Sequence, residues 1–263
     1  MPTDSPPIPP IPWGSFFWVR VCALRAVCVV LGLVAWHWTQ GLLGARPAPA
    51  DGQQWAALGA GLTRADGLLQ LTAPVNDYLR DNRDAAHDLL VVSSAMIDLL
   101  GIFLLGWSVF GASLRPFIGL LALFGLRQIT QVLCALPPPE GMIWEYPGFP
   151  SLLVTYNVAN DFFFSGHTAI AVFGVIELGR FARQRLRAWG FPRDVIAITD
   201  AKACLMGAFL IAVVILLRAH YTMDVFAGVL AAVLGAIFAN RVAPRCDAVV
   251  CQIVGGRQLA TQA

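Results

Sequence analysis

Residues Asn160 to Ala169 read NDFFFSGHTA, and the fold turns on them. Three phenylalanines, a serine and a glycine lead to His167, and no charge follows until Glu177. A polar ring at the doorway of an apolar stretch is costly unless it has a partner or a task. The rest of the chain shows what kind of doorway this is. Its 263 residues are 57% hydrophobic and only 13% charged, where a soluble domain carries about 25% charged residues. Mean hydropathy is +0.67. The net charge of +2, with no basic stripe, excludes a nucleic-acid partner. Several nearly uncharged stretches approach the roughly 20 residues that cross a bilayer as a helix. The expected fold is therefore an all-α integral membrane protein.

Six transmembrane helices are expected, at Ala26–Ala45, Leu89–Phe110, Phe117–Leu136, Phe162 to just before Arg180, Val195–Leu217 and Val225–Val242. The second contains Asp98, the third Arg127, and Lys202 lies near enough to the end of the fifth to snorkel. Residues 1–22 are proline-rich without a basic start, and are expected to be a disordered tail before a retained first span rather than a signal peptide. Residues 23–243 form the expected membrane catalytic domain and 244–263 a cytoplasmic tail. Arg180, Arg183, Arg185, Arg187 and Arg193 crowd the fourth-to-fifth connection, whereas Gln128 to Gly179 holds no Lys or Arg. The positive-inside rule then puts both termini in the cytoplasm and the third-to-fourth loop on the other side. That membrane is a bacterial inner membrane or a eukaryotic endomembrane. The Asp51–Asp88 segment is long for a loop, and WAALGAGLTRADGLLQL within it reads as an interfacial amphipathic helix or a packed external lid. The six cysteines show neither a disulfide framework nor zinc spacing with histidine.

There are four histidines. His37, between tryptophans, and His87, among aspartates, read as interfacial and solvated residues. His220 opens HYTMD, and a spacing of four puts it on one helical face with Asp224. There the carboxylate can fix the imidazole tautomer and stabilise its cation, leaving the other nitrogen to attack or to carry a proton. A His and an Asp four apart would by themselves indicate a salt bridge. Position changes this reading, because His167 begins the fourth expected span and His220–Asp224 the sixth. Both therefore lie on the same non-cytoplasmic side, where ionisable groups at membrane depth are functional candidates.

DFFFSGHTA followed by RAHYTMD, with LRQITQVLCALPPPEG upstream, resembles the sphingomyelin synthase and phosphatidylcholine:diacylglycerol cholinephosphotransferase branch of the lipid phosphatase (PAP2) superfamily. The resemblance covers roughly Leu126 to Gly228 and includes the six-span layout with its active site at the non-cytoplasmic face. It implies that His220 is the nucleophile, Asp224 its orienting partner and His167 the general acid for the leaving alkoxide. A histidine that attacks phosphorus gives a phospho-histidine, which splits one difficult displacement into two.

Around this trio, Gly166 lets phosphate approach the backbone, and Ser165 stands at a helix N-terminus whose N–H groups favour anions. Phe162, Phe163 and Phe164 either wall the site and flank a quaternary ammonium or anchor in lipid. Asp161 matches the family's acidic residue six before the motif histidine, and either meets a headgroup cation or caps the helix. Arg127 either contacts lipid phosphate or pairs with Asp98. Arg218, two before His220, is the better phosphate ligand by location, and Tyr221 joins the substrate-binding set. Glu140 and Glu145, in the arginine-free loop, suit a choline or ethanolamine cation. Phosphomonoester-cleaving relatives carry a Lys-x6-Arg-Pro segment and an Arg six before the second histidine. Here the single lysine is Lys202, and position 214 is Val214. Fewer cations suit a singly charged diester better than a monoester. The expected activity is transfer of a phosphocholine-type group from a phospholipid to a lipid alcohol, with a lipid phosphatase or phospholipase-C-like hydrolase as the alternative. Membrane phospholipids and lipid alcohols are the expected partners. No metal or cofactor is required, since histidine and arginine cations carry the charge role.

Overall fold

The computed structural model describes residues 16–44, 51–148, 151–154, 156 and 163–255. Nine α-helices occupy these residues. They are α1 (Phe16–Gly44), α2 (Gly52–Ala65), α3 (Gly67–Leu71), α4 (Ala73–Asp81), α5 (Arg83–Phe110), α6 (Arg115–Leu133), α7 (Gly166–Phe181), α8 (Arg193–Leu216) and α9 (Thr222–Ile253). A π-helical turn, Ala182–Leu186, follows α7 directly.

Five of the helices, α1, α5, α6, α8 and α9, are long and apolar enough to cross a membrane. With no strand among the described residues, the chain is an all-α membrane protein. The expected fourth span corresponds to α7, which is not among the five. Its 16 residues run without a break into the π-helical turn Ala182–Leu186. It is the enclosed centre of the bundle, packed against α5, α6, α8 and α9. Phe173 and Ala171 are fully buried there, and Glu177, buried as well, pairs with Arg115 of α6. Arg115 also donates to Asn240 Oδ1 at 2.7 Å and to the Ala236 carbonyl at 3.3 Å.

The first and last long helices run further than the expected spans. α1 starts at Phe16, so the helix covers the last residues of the expected disordered tail; residues 1–15 lie outside the described region. At the other end α9 continues through Pro244 to Ile253, where a tail was expected. The reason is a buried ion pair that polarity counts against a span. Asp247 Oδ1 accepts from Arg25 Nη2 at 2.8 Å and from the Leu114 N–H at 2.9 Å. Its Oδ2 accepts from Ser113 Oγ at 2.5 Å. Arg25 Nη1 donates to the Gly111 carbonyl at 2.7 Å. One pair thus joins α1, the α5–α6 turn and α9.

The segment from 51 to 88 is a packed cover, the second of its two expected forms. Asp51 caps α2 by accepting the Gln53 and Gln54 N–H groups, and Asp66 caps α3 through Leu68 and Leu69. Leu69 is fully buried in a cluster with Val214, Ala219 and Tyr221. Asn76 Nδ2 donates to the Gly141 carbonyl at 3.2 Å and to the Leu216 carbonyl at 2.9 Å. The Glu140 N–H donates to Thr63 Oγ1 at 2.8 Å. Three short helices are thereby sewn onto the α6–α7 loop and the α8–α9 junction.

Asp247→Ala should leave Arg25 buried without its counter-charge. A loss of about 3–5 kcal/mol is expected, seen as a marked fall in apparent Tm of the detergent-solubilised protein.

Candidate active site

The site is built at the corner between α8 and α9. α8 ends in a Schellman arrangement: the Ala219 N–H donates to the Val214 carbonyl at 2.9 Å, and the Arg218 N–H donates to the Ile215 carbonyl at 3.0 Å. The left-handed position that glycine usually fills is Arg218, with φ +50°. A non-glycine residue there costs about 1–2 kcal/mol, and its side chain offsets this. Arg218 Nη1 donates to the Glu140 carbonyl at 2.8 Å and Nη2 to the Leu69 carbonyl at 3.3 Å. The guanidinium therefore clamps the cover to the corner.

Two residues on, His220 is buried. Its Nδ1 stands 3.6 Å from Asp224 Oδ2. The same Oδ2 accepts the Tyr221 N–H at 3.0 Å, so Asp224 at the third helical position also caps α9. Burial pushes the His220 imidazole below its usual value of 6.5; Asp224 opposes this and Arg127 adds to it. The ring is thus neutral near pH 7, with Nε2 directed away from the carboxylate and able to act as a nucleophile. Burial above all raises the Tyr221 phenol to about 12, so it stays protonated, and its O–H donates a hydrogen bond to the Pro137 carbonyl at 3.1 Å.

α7 presents the second histidine. Ser165 caps it, its Oγ accepting the Thr168 N–H at 3.2 Å and donating to Thr168 Oγ1 at 2.9 Å. The Ser165 N–H in turn donates to the Asp224 carbonyl at 3.1 Å, which fastens the start of α7 to the start of α9. Gly228 permits the approach, because a Cβ there would lie 2.7 Å from the Ser165 carbonyl oxygen and 3.1 Å from Thr168 Cβ. His167 is buried, interacts electrostatically with His220, and has no hydrogen-bond partner for either ring nitrogen among the described residues. Arg127 of α6 lies against Gly166, where a Cβ would meet its Nε at 2.8 Å. The glycine makes room for a guanidinium.

The expected residues divide accordingly. His167, His220, Asp224 and Arg127 come together around Ser165 and Gly166. Arg218 and Tyr221 stand beside them, with their polar groups turned to backbone carbonyls. Glu140 contributes its backbone to the clamp and keeps an exposed side chain. Asp98 does not pair with Arg127; its carboxylate accepts from Ser151 Oγ at 3.1 Å and from the Leu152 and Leu153 N–H groups at 2.9 and 3.0 Å. Asp161 and Phe162 lie outside the described residues. Phe164 is buried and Phe163 exposed, while His37 and His87 are both exposed.

Sequence reasoning missed Trp144. Its ring meets His167 edge to face at 5.6 Å and stacks on Tyr156 at 5.5 Å, with Tyr146 edge-on to Tyr156 at 6.0 Å. The available signal was three aromatics in the arginine-free loop, which read equally well as membrane-interface anchors. Glu145 of that loop pairs with Arg83 at 3.0 Å, both side chains exposed.

Two buried imidazoles, one backed by a carboxylate and both beside a guanidinium, can bind an anionic tetrahedral group, attack it and protonate what leaves. Among known families, the one described as PAP2 superfamily C-terminal matches residues 159–240. This stretch contains both histidines and most of α7 to α9, and the match supports membership of the PAP2 superfamily. That superfamily covers phosphatases and phosphotransferases. No curated protein and no solved structure matches the chain.

Arg218→Gly keeps the left-handed corner and loses only the clamp, whereas Arg218→Ala loses both. Apparent Tm should fall in the order wild type, Gly, Ala. The two variants should differ by about 1 kcal/mol.

Proposed function

We propose that the protein is an integral-membrane phospholipid headgroup transferase. In this reading α7 completes a six-helix bundle, and the histidines face the non-cytoplasmic side. Arg180 lies in the last turn of α7 and Arg183, Arg185, Arg187 and Arg193 follow it, at the end opposite His167, as the positive-inside rule requires of a cytoplasmic end. His220 Nε2 attacks the phosphorus of a phospholipid, forming a P–N bond as the P–O bond to the diacylglycerol breaks. His167 gives the departing alkoxide its proton. A lipid alcohol then attacks the phospho-histidine, returning its proton to His167, and a new phospholipid leaves.

The carrying observation is the charge inventory at the histidines. Arg127 acts on His220, and Arg218, two residues before it, donates Nη1 and Nη2 to the Glu140 and Leu69 carbonyls. The single lysine is Lys202 and position 214 is Val214, so this small cation set suits the single charge of a phosphodiester better than a phosphomonoester, which near neutral pH approaches two charges. The aromatic group of Trp144, Tyr146 and Tyr156 beside His167 suits an ammonium headgroup, since ring faces attract cations. Asp161, matched to the family's acidic position, serves the same cation in this reading.

His220→Ala should abolish the covalent intermediate, and His167→Ala should slow its formation by about 10²–10⁴-fold. Because burial lowers the His220 pKa, the acid limb of kcat/KM should fall below pH 6.5. Asp224 raises that pKa, so Asp224→Asn should move the limb further down while reducing kcat. A limb that moves up would overturn the assignment of His220 as the titrating nucleophile.

Transfer and hydrolysis separate with headgroup-labelled phosphatidylcholine in mixed micelles. Added diacylglycerol or another lipid alcohol should divert label from free phosphorylated headgroup into new phospholipid. Phosphatidic acid should be the poorer substrate. Fast phosphate release from phosphatidic acid, with no label reaching the acceptor, would instead establish a lipid phosphatase.

A further inference from the structure

A cavity of about 400 Å³ lies between α2–α3 and the start of α9. That volume is within the roughly 300–1,000 Å³ of ligand pockets. Its walls are mainly Leu62, Leu68, Leu136, Phe163 and Met223, and Asp224 of the candidate catalytic set also lines it. The polar groups in the wall are already engaged. Asp66 Oδ2 accepts the Thr222 N–H at 2.7 Å and Oδ1 accepts Thr222 Oγ1 at 2.6 Å. Burial raises the Asp66 pKa, but the bonds from Thr222, Leu69 and Leu68 outweigh it and hold the carboxyl below its usual range. The Tyr221 hydroxyl is committed to Pro137. What is left for an occupant is hydrocarbon surface.

We infer that this cavity receives an acyl chain of the lipid substrate, entering sideways from the bilayer between α3 and α9. The inference rests on the proposed lipid chemistry and deepens it. Met223, on the cavity wall, is 68% exposed, and Phe226, one turn-face further along α9, is 54% exposed. Both belong to a helix long and apolar enough to span the membrane, so the cavity is continuous with a lipid-facing surface. A substrate that keeps its chains out of water must approach from that side, because each exposed methylene is unfavourable. Asp224 touches the cavity while its Oδ2 faces His220. A chain lying in the cavity therefore places its ester and phosphate end towards the histidines. The Asp66–Thr222 bonds keep the α3 wall seated on α9, which fixes the width of the slot.

The test uses the full-length protein in nanodiscs with phosphatidylcholine carrying a diazirine at the end of one acyl chain. Cross-linking is done on His220→Ala as well as wild type, so that labelling does not depend on turnover. Adducts on the Leu62–Leu68 and Leu136 peptides, displaced by unlabelled phospholipid, are expected. Leu68→Trp, which fills the slot, should reduce them about tenfold and raise KM for long-chain donors by a similar factor, with little change for dihexanoyl phosphatidylcholine. Leu62→Phe provides the same reading should the tryptophan variant fold poorly. Labelling spread over the outer faces of α1 and α5, with none in the slot, would overturn the inference even if headgroup transfer is normal. Slot labelling in a protein that transfers no headgroup would retain the chain site and reject the reaction.

Discussion

A single backbone hydrogen bond, from the Ser165 N–H to the Asp224 carbonyl at 3.1 Å, sets the spacing on which the site depends. It joins the first turns of two helices that no short loop connects. His167 lies two residues beyond its donor, and His220 four residues before its acceptor. A buried backbone polar group must find a partner, and here satisfying that demand also fixes the distance between two imidazoles. Gly228 is the steric condition for the bond, since a side chain at that position would hold the helices apart. Arg127 then fills the space that Gly166 leaves on the opposite side.

The far end of the bundle solves a different problem. Arg25–Asp247 and Arg115–Glu177 are buried ion pairs, each reinforced by further hydrogen bonds. Such pairs stabilise little on balance, because desolvation opposes the attraction. Their geometry is specific, however. Asp247 fits only if α9 continues past Pro244 and the α5–α6 turn lies beneath it. They select one arrangement of five helices whose apolar surfaces would otherwise permit several.

The fold class was legible in the sequence because bilayer-spanning helices leave uncharged runs, and five such runs became long helices. Helix limits were less legible wherever a charge sat inside the packing: Asp247 hid the last turns of α9. The candidate trio of His167, His220 and Asp224 was readable because His-x-x-x-Asp and Ser-Gly-His place their groups locally. Residues whose contacts span the chain were not. Arg218 read as the better phosphate ligand of the two arginines, and nothing local reveals that it binds carbonyls 78 and 149 positions away. Asp98 could not be assigned to the 151–153 backbone for the same reason, and Trp144 lacked a spacing pattern altogether.

The cover formed by α2 to α4 has a consequence for how the chain is made. Asp66 reaches Thr222 across 156 residues, and Leu69 reaches Arg218 across 149. A ribosome delivers the cover well before its seat. Until the start of α9 emerges, Asp66 has no Thr222. The histidine pair is not fixed before α9 begins, since the Asp224 carbonyl that receives Ser165 follows α8 in the chain. Assembly of the candidate site is thereby tied to synthesis of the chain through the first turn of α9.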